Sequence, residues 1–512
     1  MDYTLTFSAL LGVFILFTAL RRKSSLRTIP GPISPSWIFG HMLELMDSPM
    51  YGENESAWQK MYGTVYRIRG CLGQERLVIS DPVALQYIIK SANFHHAQRK
   101  DTANIALYGA KSVTSLRGGQ EHRRLRAALS VGFTATAVSE YQAVLERIAR
   151  RASDELEADC GKAINVCPLL ASAALSAASE LTFGVEELDN DLVGDILNIR
   201  PRSWPGQSKF EMLIDGIGAR FPIFFRAATL YLRSFNLLRK VQVHATQVGR
   251  QILQEKIAAI ESGTVDLGHD LFTRLLANTS SSKRKLTDDE ITEQTSVFLV
   301  AGHETTATTL AFGLLELGRN PEFQQKLREE LNSRQGEGVY DSLPLLNAFI
   351  KEVLRVYPAA ALRERVALKD EIIPLSEGIV TTTGQRITQI PIRKGDLVML
   401  ALASYQRLQS LWGDDADSFN PYRWIDGKIH QGEAIGPYAN LLSFLGGPHV
   451  CPGWRFAILE MQVILAELIR KFSFTLPANE IVRVKLSNTL QPTDSGGQKC
   501  VCLYVAQNLE HV

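Results

Sequence analysis

Cys451 stands in "FLGGPHVCPGWRFA", between glycines and prolines and just ahead of a segment with the pattern of a long amphipathic helix. Cysteine does chemistry as the thiolate, which needs backbone donors or positive charge to hold its proton off. Gly446, Gly447 and Gly453 lack a Cβ, so they permit tight turns and the close approach of a flat ligand. A helix beginning after Pro452 presents free N–H groups and a positive dipole end toward the sulfur. A buried, inert side chain is the ordinary fate of a lone cysteine. Zinc needs further Cys or His at finger-like spacing, and only His449 is near. A cysteine protease needs a paired base that no local sequence supplies. A single thiolate flanked by glycines fits an axial ligand to haem iron.

Three more groupings could do chemistry or hold it in place. "AGHETTATT", residues 301–309, lies in an apolar run. Gly302 inside a helix costs about 1 kcal/mol against Ala, so a reason for it is expected. The threonine hydroxyls compete for backbone carbonyls and let such a helix bend. His303-Glu304 invites a zinc-protease reading, but H-E-x-x-H needs His where Ala307 stands. In "KEVLRVYP", Glu352 and Arg355 share a helix face at i, i+3, a spacing that Glu121 and Arg124 show by chance. "EHRRLRAALS" and "LRERVALKD" place His122, Arg126 and Arg365, and arginine suits a carboxylate because its planar fork can bind both oxygens.

In this order and spacing the stretches resemble the cytochrome P-450 family, fungal microsomal members above all. "FLGGPHVCPG" is similar to the haem-ligand loop, with Phe444, Gly447, His449, Cys451 and Gly453 at the recurring positions. His449 stands where the family usually has Arg, which makes a haem-propionate contact weaker or pH-dependent. The resemblance implies haem b with Cys451 as axial iron ligand, and Glu304 and Thr305 as the acid–alcohol pair that delivers protons. It also implies His122, Arg126 and Arg365 at the propionates, His122 replacing the usual Trp. Glu352 and Arg355 would be completed by Arg423 from "FNPYRW" as a buried structural cluster. The implied reaction inserts one oxygen atom from O2 into a lipophilic small molecule, since thiolate donation favours O–O cleavage. No G-x-G-x-x-G or cysteine-rich iron–sulfur motif is present, so electrons are expected from another protein, and the resemblance implies an NADPH-cytochrome P-450 reductase, expected to dock near Arg455. A haem-thiolate isomerase or dehydratase, or a haem-binding sensor or carrier, would keep the cysteine loop too; oxygen consumption separates them.

The elements that must position these residues are partly legible. The 512 residues are 45% hydrophobic and 21% charged, enough to bury a large core, and the net charge of +1 gives no reason to propose nucleic acid. Tyr3 to Leu20 is a run of 18 residues without a charge, followed by Arg21, Arg22, Lys23 and Arg27. That pattern predicts a retained membrane anchor with the body in the cytosol, at the endoplasmic reticulum. Residues 1–28 are therefore expected to be the anchor and its basic flank, and 29–512 one catalytic domain. Pro30, Pro32 and Pro35 make a stiff spacer between them. Val65 to Ile79 alternates around a Gly turn and predicts a hairpin. Glu371 to Ala401 predicts short strands, and Arg200 to Phe235 is irregular, with "FPIFF" (Phe221–Phe225) as core or a second membrane contact. The expected fold is mainly α with a smaller β region (α+β), the P-450 fold.

Substrate contacts are expected from the 200–235 region, Ser112–Leu116, the helix around Phe298 and Ala359–Leu362. Their apolar character suggests a lipophilic substrate, terpenoid first, with polyketide, fatty acid and xenobiotic left open by composition; a role in secondary-metabolite biosynthesis is what the family resemblance implies. Six scattered cysteines fit a reducing compartment. Cys500 and Cys502, two apart on one strand face, read as small buried hydrophobes.

Overall fold

The computed structural model describes residues 24–508 other than 47, 49, 200–208, 219–224, 226–228, 263–268, 278–285, 335–338, 428 and 430–433. The expected anchor, Tyr3–Leu20, lies outside the described residues, and among these no helix is long and apolar enough to cross a membrane. The basic flank assigned with the anchor up to residue 28 touches the body at its end. Ser25–Thr28 form a 3-10 turn packed on the body: Leu26 is fully buried, and the Ser25 hydroxyl donates to Asp396 at 2.6 Å.

β1 (Val65–Arg69) and β2 (Glu75–Ile79) form the expected hairpin, Val65 opposite Ile79 and Arg69 opposite Glu75. With β3 (Phe94–His96), β5 (Leu362–Ala367) and β8 (Leu397–Ala401) they build a five-stranded sheet ordered β1-β2-β8-β5-β3. β8, "LVMLA", is buried throughout, as a central strand covered on both faces should be. β6 (Glu371–Val380) and β7 (Arg386–Ile392) pair as a hairpin and, with β8, fulfil the strands expected over 371–401. A second sheet joins β4 (Ala163–Asn165), β9 (Phe472–Thr475) and β12 (Cys502–Gln507). β10 (Arg483–Leu486) and β11 (Leu490–Thr493) form a separate hairpin.

Helices make up the rest, so the fold is mixed α+β and helix-rich, as expected. Five matter here: α1 (Gly119–Leu129), α2 (Cys167–Phe183), α3 (Gln294–Arg319), α4 (Pro344–Val356) and α5 (Trp454–Lys471). α3 runs through the core, buried along most of its length on nearly every side. It packs along α2, whose alanines let the two backbones approach. A Cβ on Gly302 would lie 3.1 Å from the Ala178 Cβ, which supplies the expected reason for that glycine. Within the irregular 200–235 stretch a helix spans Lys209–Gly218, and Phe225 is buried edge-on against Phe235, so this end of "FPIFF" is core.

Candidate functional site

The loop carrying Cys451 is fixed from both sides. Upstream, Gln406 is fully buried; its amide donates to the carbonyls of Leu354 and Arg355, and its oxygen accepts from the Leu442 N–H at 2.7 Å. The end of α4 is thereby tied to the start of the loop. Gly447 has φ +61°, and a Cβ there would lie 2.7 Å from the Ile89 carbonyl; one on Gly446 would lie 2.2 Å from the Ile435 carbonyl. Both glycines answer to protein packing. The Cys451 N–H then donates to the Phe444 carbonyl at 2.9 Å, and α5 starts at Trp454. Burial pushes the half-buried Cys451 thiol up, opposed by a hydrogen bond from the Gly453 backbone and by Arg126. The donor expected at the helix start is therefore present.

Below α4, Glu352, Arg355 and Arg423 meet as expected. Both Glu352 oxygens accept from Arg355, at 2.7 and 2.8 Å; Arg423 Nε donates at 3.0 Å and Trp424 Nε1 at 2.9 Å. Arg355 also donates to the carbonyls of Gln406, Ala416 and Ser418. All three charged groups are buried with their donors and acceptors satisfied, the condition under which a buried ion cluster is tolerable.

Around the Cys451 loop the structure gathers cations. Arg126 of α1 donates to the Val450 carbonyl, and the His122 and His449 rings lie 4.8 Å apart. Arg365 of β5 pairs across the sheet with His96 of β3 and donates to its Nδ1 at 2.9 Å. The His96 ring is 6.4 Å from His449, and His95 is 5.3 Å from His96. Burial, then the neighbouring His122, Arg365, His95 and Arg126, depress His449 to about 4. Burial and Arg363 lower Arg365 to about 10, burial and Arg365 hold His96 well down, and His122 and Arg126 are lowered by burial as well. Asp101 faces the cluster but is engaged by His95 and Arg117. Sequence reasoning named four of these six groups and missed His95 and His96, whose doublet in "NFHHAQ" was the available signal.

Of the 301–309 segment of α3, only Ala301, Gly302 and Thr305 reach accessible space, positions i, i+1 and i+4 on one face. The Thr305 hydroxyl donates to the Ala301 carbonyl at 2.9 Å, and Thr306 and Thr309 bond back in the same way, as expected of threonines in a helix. Glu304 points elsewhere. It is buried, and its Oε1 accepts from Gln491 Nε2 at 2.9 Å and Thr489 Oγ1 at 3.2 Å, from the β11 side. Neither partner was singled out from sequence. Phe133 connects this face to the cysteine loop, lying 5.8 Å from the Phe298 ring of α3 and 3.5 Å from where a Gly453 Cβ would be.

The cytochrome P-450 family model matches residues 30–495. The chain belongs to the cytochrome P-450 family. Similar P-450s include cytochrome P-450 monooxygenase claO of Ampulloclitocybe clavipes, 30% identical, with 90% of this chain and 88% of the relative covered. Cytochrome P-450 monooxygenases 205 and 219 of Postia placenta are 29% and 31% identical, covering 90% and 88% of this chain and 88% of each relative. P-450 membership makes the chain an oxidoreductase of the monooxygenase kind and implies haem with a cysteine thiolate ligand. The residues present fit that group on two observations. No protein atom lies nearer than 3.5 Å to where a Cβ on Gly453 would be, unlike at Gly446 and Gly447, so packing does not require this glycine and its bare backbone leaves room for a flat ligand. The guanidiniums of Arg126 and Arg365, with the imidazoles of His96, His122 and His449 beside them, are donors suited to a ligand carrying carboxylates.

Proposed function

We propose that Cys451 is the axial ligand of haem b in a monooxygenase that hydroxylates a lipophilic small molecule. The observation that carries this reading is the convergence of Arg126, His122, Arg365 and His449 beside the single cysteine loop. When bound, the haem supplies oxygen activation. The chain's own residues do the rest. Arg126, Arg365, His122 and His449 would hold the propionate carboxylates, and the Gly453 backbone at the start of α5 offers the sulfur a hydrogen bond that favours its thiolate form against burial. Thr305 presents a hydroxyl on the accessible face of α3, and Glu304, held by Gln491 and Thr489, is the acid from which protons are drawn. Phe444 and Gly447 shape the loop, while Glu352, Arg355 and Arg423 brace it from beneath.

A cavity of about 530 Å³ lies on the sheet side of the cation cluster and shares His95 and His96 with it. Met42, Met212, Phe225, Leu362 and Met399 give it an apolar, adaptable wall. Met212, Phe225 and Leu362 come from segments expected to contact substrate, whereas the Val113 N–H is taken up by Gln294. Arg76, Arg99, Arg117 and Glu364 also line it and no residue of the accessible α3 face does, so it offers a lipophilic molecule a way toward the site; a terpenoid-type substrate in secondary metabolism is our reading from the family resemblance. Tyr3–Leu20 would anchor the protein in the endoplasmic reticulum membrane beside an NADPH-cytochrome P-450 reductase. Arg455, exposed and stacked 4.1 Å over Trp454 next to the cysteine loop, offers that reductase a positive contact.

The test is turnover of purified protein with reductase and NADPH against a terpenoid panel, following oxygen. Oxygen consumption matched by a product one oxygen heavier supports the reading. Product formation without oxygen uptake would assign the isomerase or dehydratase class instead.

A further inference from the structure

Far from the haem loop, three segments bring thiols and a carboxylate together. The Cys500 and Cys502 sulfurs are 2.6 Å apart, and a Glu480 carboxylate oxygen lies within 4.8 Å of both. Cys500 is 7% exposed. Cys167, first residue of α2, is near enough that its thiol and that of Cys500 resist ionising together.

The arrangement is built rather than incidental. The Asn165 side chain accepts from the backbone N–H groups of Cys167 and Val501, each at 3.1 Å, and donates to the Lys499 carbonyl at 3.1 Å. One amide thus fixes the start of α2 against the segment that leads into β12 and carries both cysteines. The Cys500 N–H donates to Pro492 of β11, and the Glu480 N–H donates to the Pro477 carbonyl in the turn after β9.

Burial and the neighbouring Cys502, Cys167 and Glu480 push the Cys500 thiol up. Lys499 acts on Cys167, and its Nζ donates to Thr308 at 3.2 Å. Ligand atoms of two thiols and a carboxylate that lie within 4.8 Å of one another, in a frame fixed by Asn165, can close on one cation, the sulfurs opening from 2.6 Å to the roughly 3.7 Å that two Zn–S bonds of about 2.3 Å require. Two sulfurs and one carboxylate suit a borderline-soft divalent ion of tetrahedral habit.

We infer that Cys500, Cys502 and Glu480 form a binding site for one divalent cation of the zinc class, with water in the fourth position. Binding would release the two thiol protons to solvent. It would also brace the connection that follows β11, the strand that carries Gln491, the partner of Glu304.

The experiment uses the full-length haem protein, purified under reducing conditions and treated with a chelator. Titrated with Cd²⁺ as an optical probe, it should develop a thiolate-to-metal charge-transfer band that saturates at one ion per chain and is reversed by Zn²⁺. Cys502→Ser should abolish the band while keeping the haem spectrum. Half-exposed Glu480→Gln should weaken binding at least about tenfold, the cost typical of losing even an outer partner of a metal ligand. If Cys502→Ser does not yield haem protein, Cys500→Ser and Glu480→Gln carry the same comparison. No saturable band, or one unchanged in the variants, overturns the site. So does a Cys500–Cys502 disulfide in freshly purified protein, seen as a mass lower by two hydrogens.

Discussion

Thr305 and Glu304 are neighbours in sequence, yet a helix turns successive side chains by about 100°. Thr305 therefore faces accessible space while Glu304 reaches toward β11 and is gripped by Gln491 and Thr489. Thr305→Ala should keep its haem but divert reducing equivalents to peroxide, and Gln491→Leu should do the same more weakly by loosening Glu304. Peroxide yield per NADPH measures both; unchanged coupling in Thr305→Ala would remove its hydroxyl from the relay. The "AGHETT" stretch displays the acid and the alcohol to a reader of the sequence. It does not display their holder, because Gln491 lies 187 residues further on and only the folded β10–β11 hairpin brings it back. The same holds for Gln406, a lone glutamine in sequence and a fully buried tie between α4 and the cysteine loop.

Elements meet at two polar clusters, and each sets a stability expectation. Glu352 satisfies Arg355, Arg423, the Trp424 indole and the Asn420 N–H at once. Glu352→Ala would strand two buried guanidiniums, a change that costs about 3–5 kcal/mol. Expression should yield little haem protein, and a variant melting as the parent does would contradict a structural role. The second cluster, where α1, β3, β5 and the loop converge, carries a pH signature. In the haem-free protein His449 stays neutral down to about 4, against 6.5 for an ordinary histidine. Between those values the unfolded chain binds a proton that the folded chain refuses, so folded stability falls as pH drops through that window. His96 and His122, also depressed, add in the same direction. Bound carboxylates would raise these imidazoles again. Thermal melts at pH 7 and pH 5 should therefore show a larger loss for the haem-free than for the haem-loaded protein; equal losses would mean that no carboxylate sits there.

Across the whole molecule, short-range patterns were the legible ones. The Val65–Ile79 hairpin, the strands over 371–401 and the helix after Pro452 follow from alternation and turn residues a few positions apart. The extent of the body was less so. Leu26 sits in a basic, surface-like flank, and only its burial against the sheet places it in the domain. A truncation that spares the body therefore removes residues 1–23. It should release a folded haem protein into the soluble fraction, whereas continued sedimentation with membranes would point to a contact outside the amino terminus. The central claim concerns one sulfur among six cysteines, and its most direct test is the absorption spectrum of the reduced protein under carbon monoxide, beside Cys451→Ser. A strongly red-shifted Soret band that disappears in the variant is the predicted result. A band typical of imidazole ligation, or one that survives the substitution, would contradict Cys451 as the haem ligand.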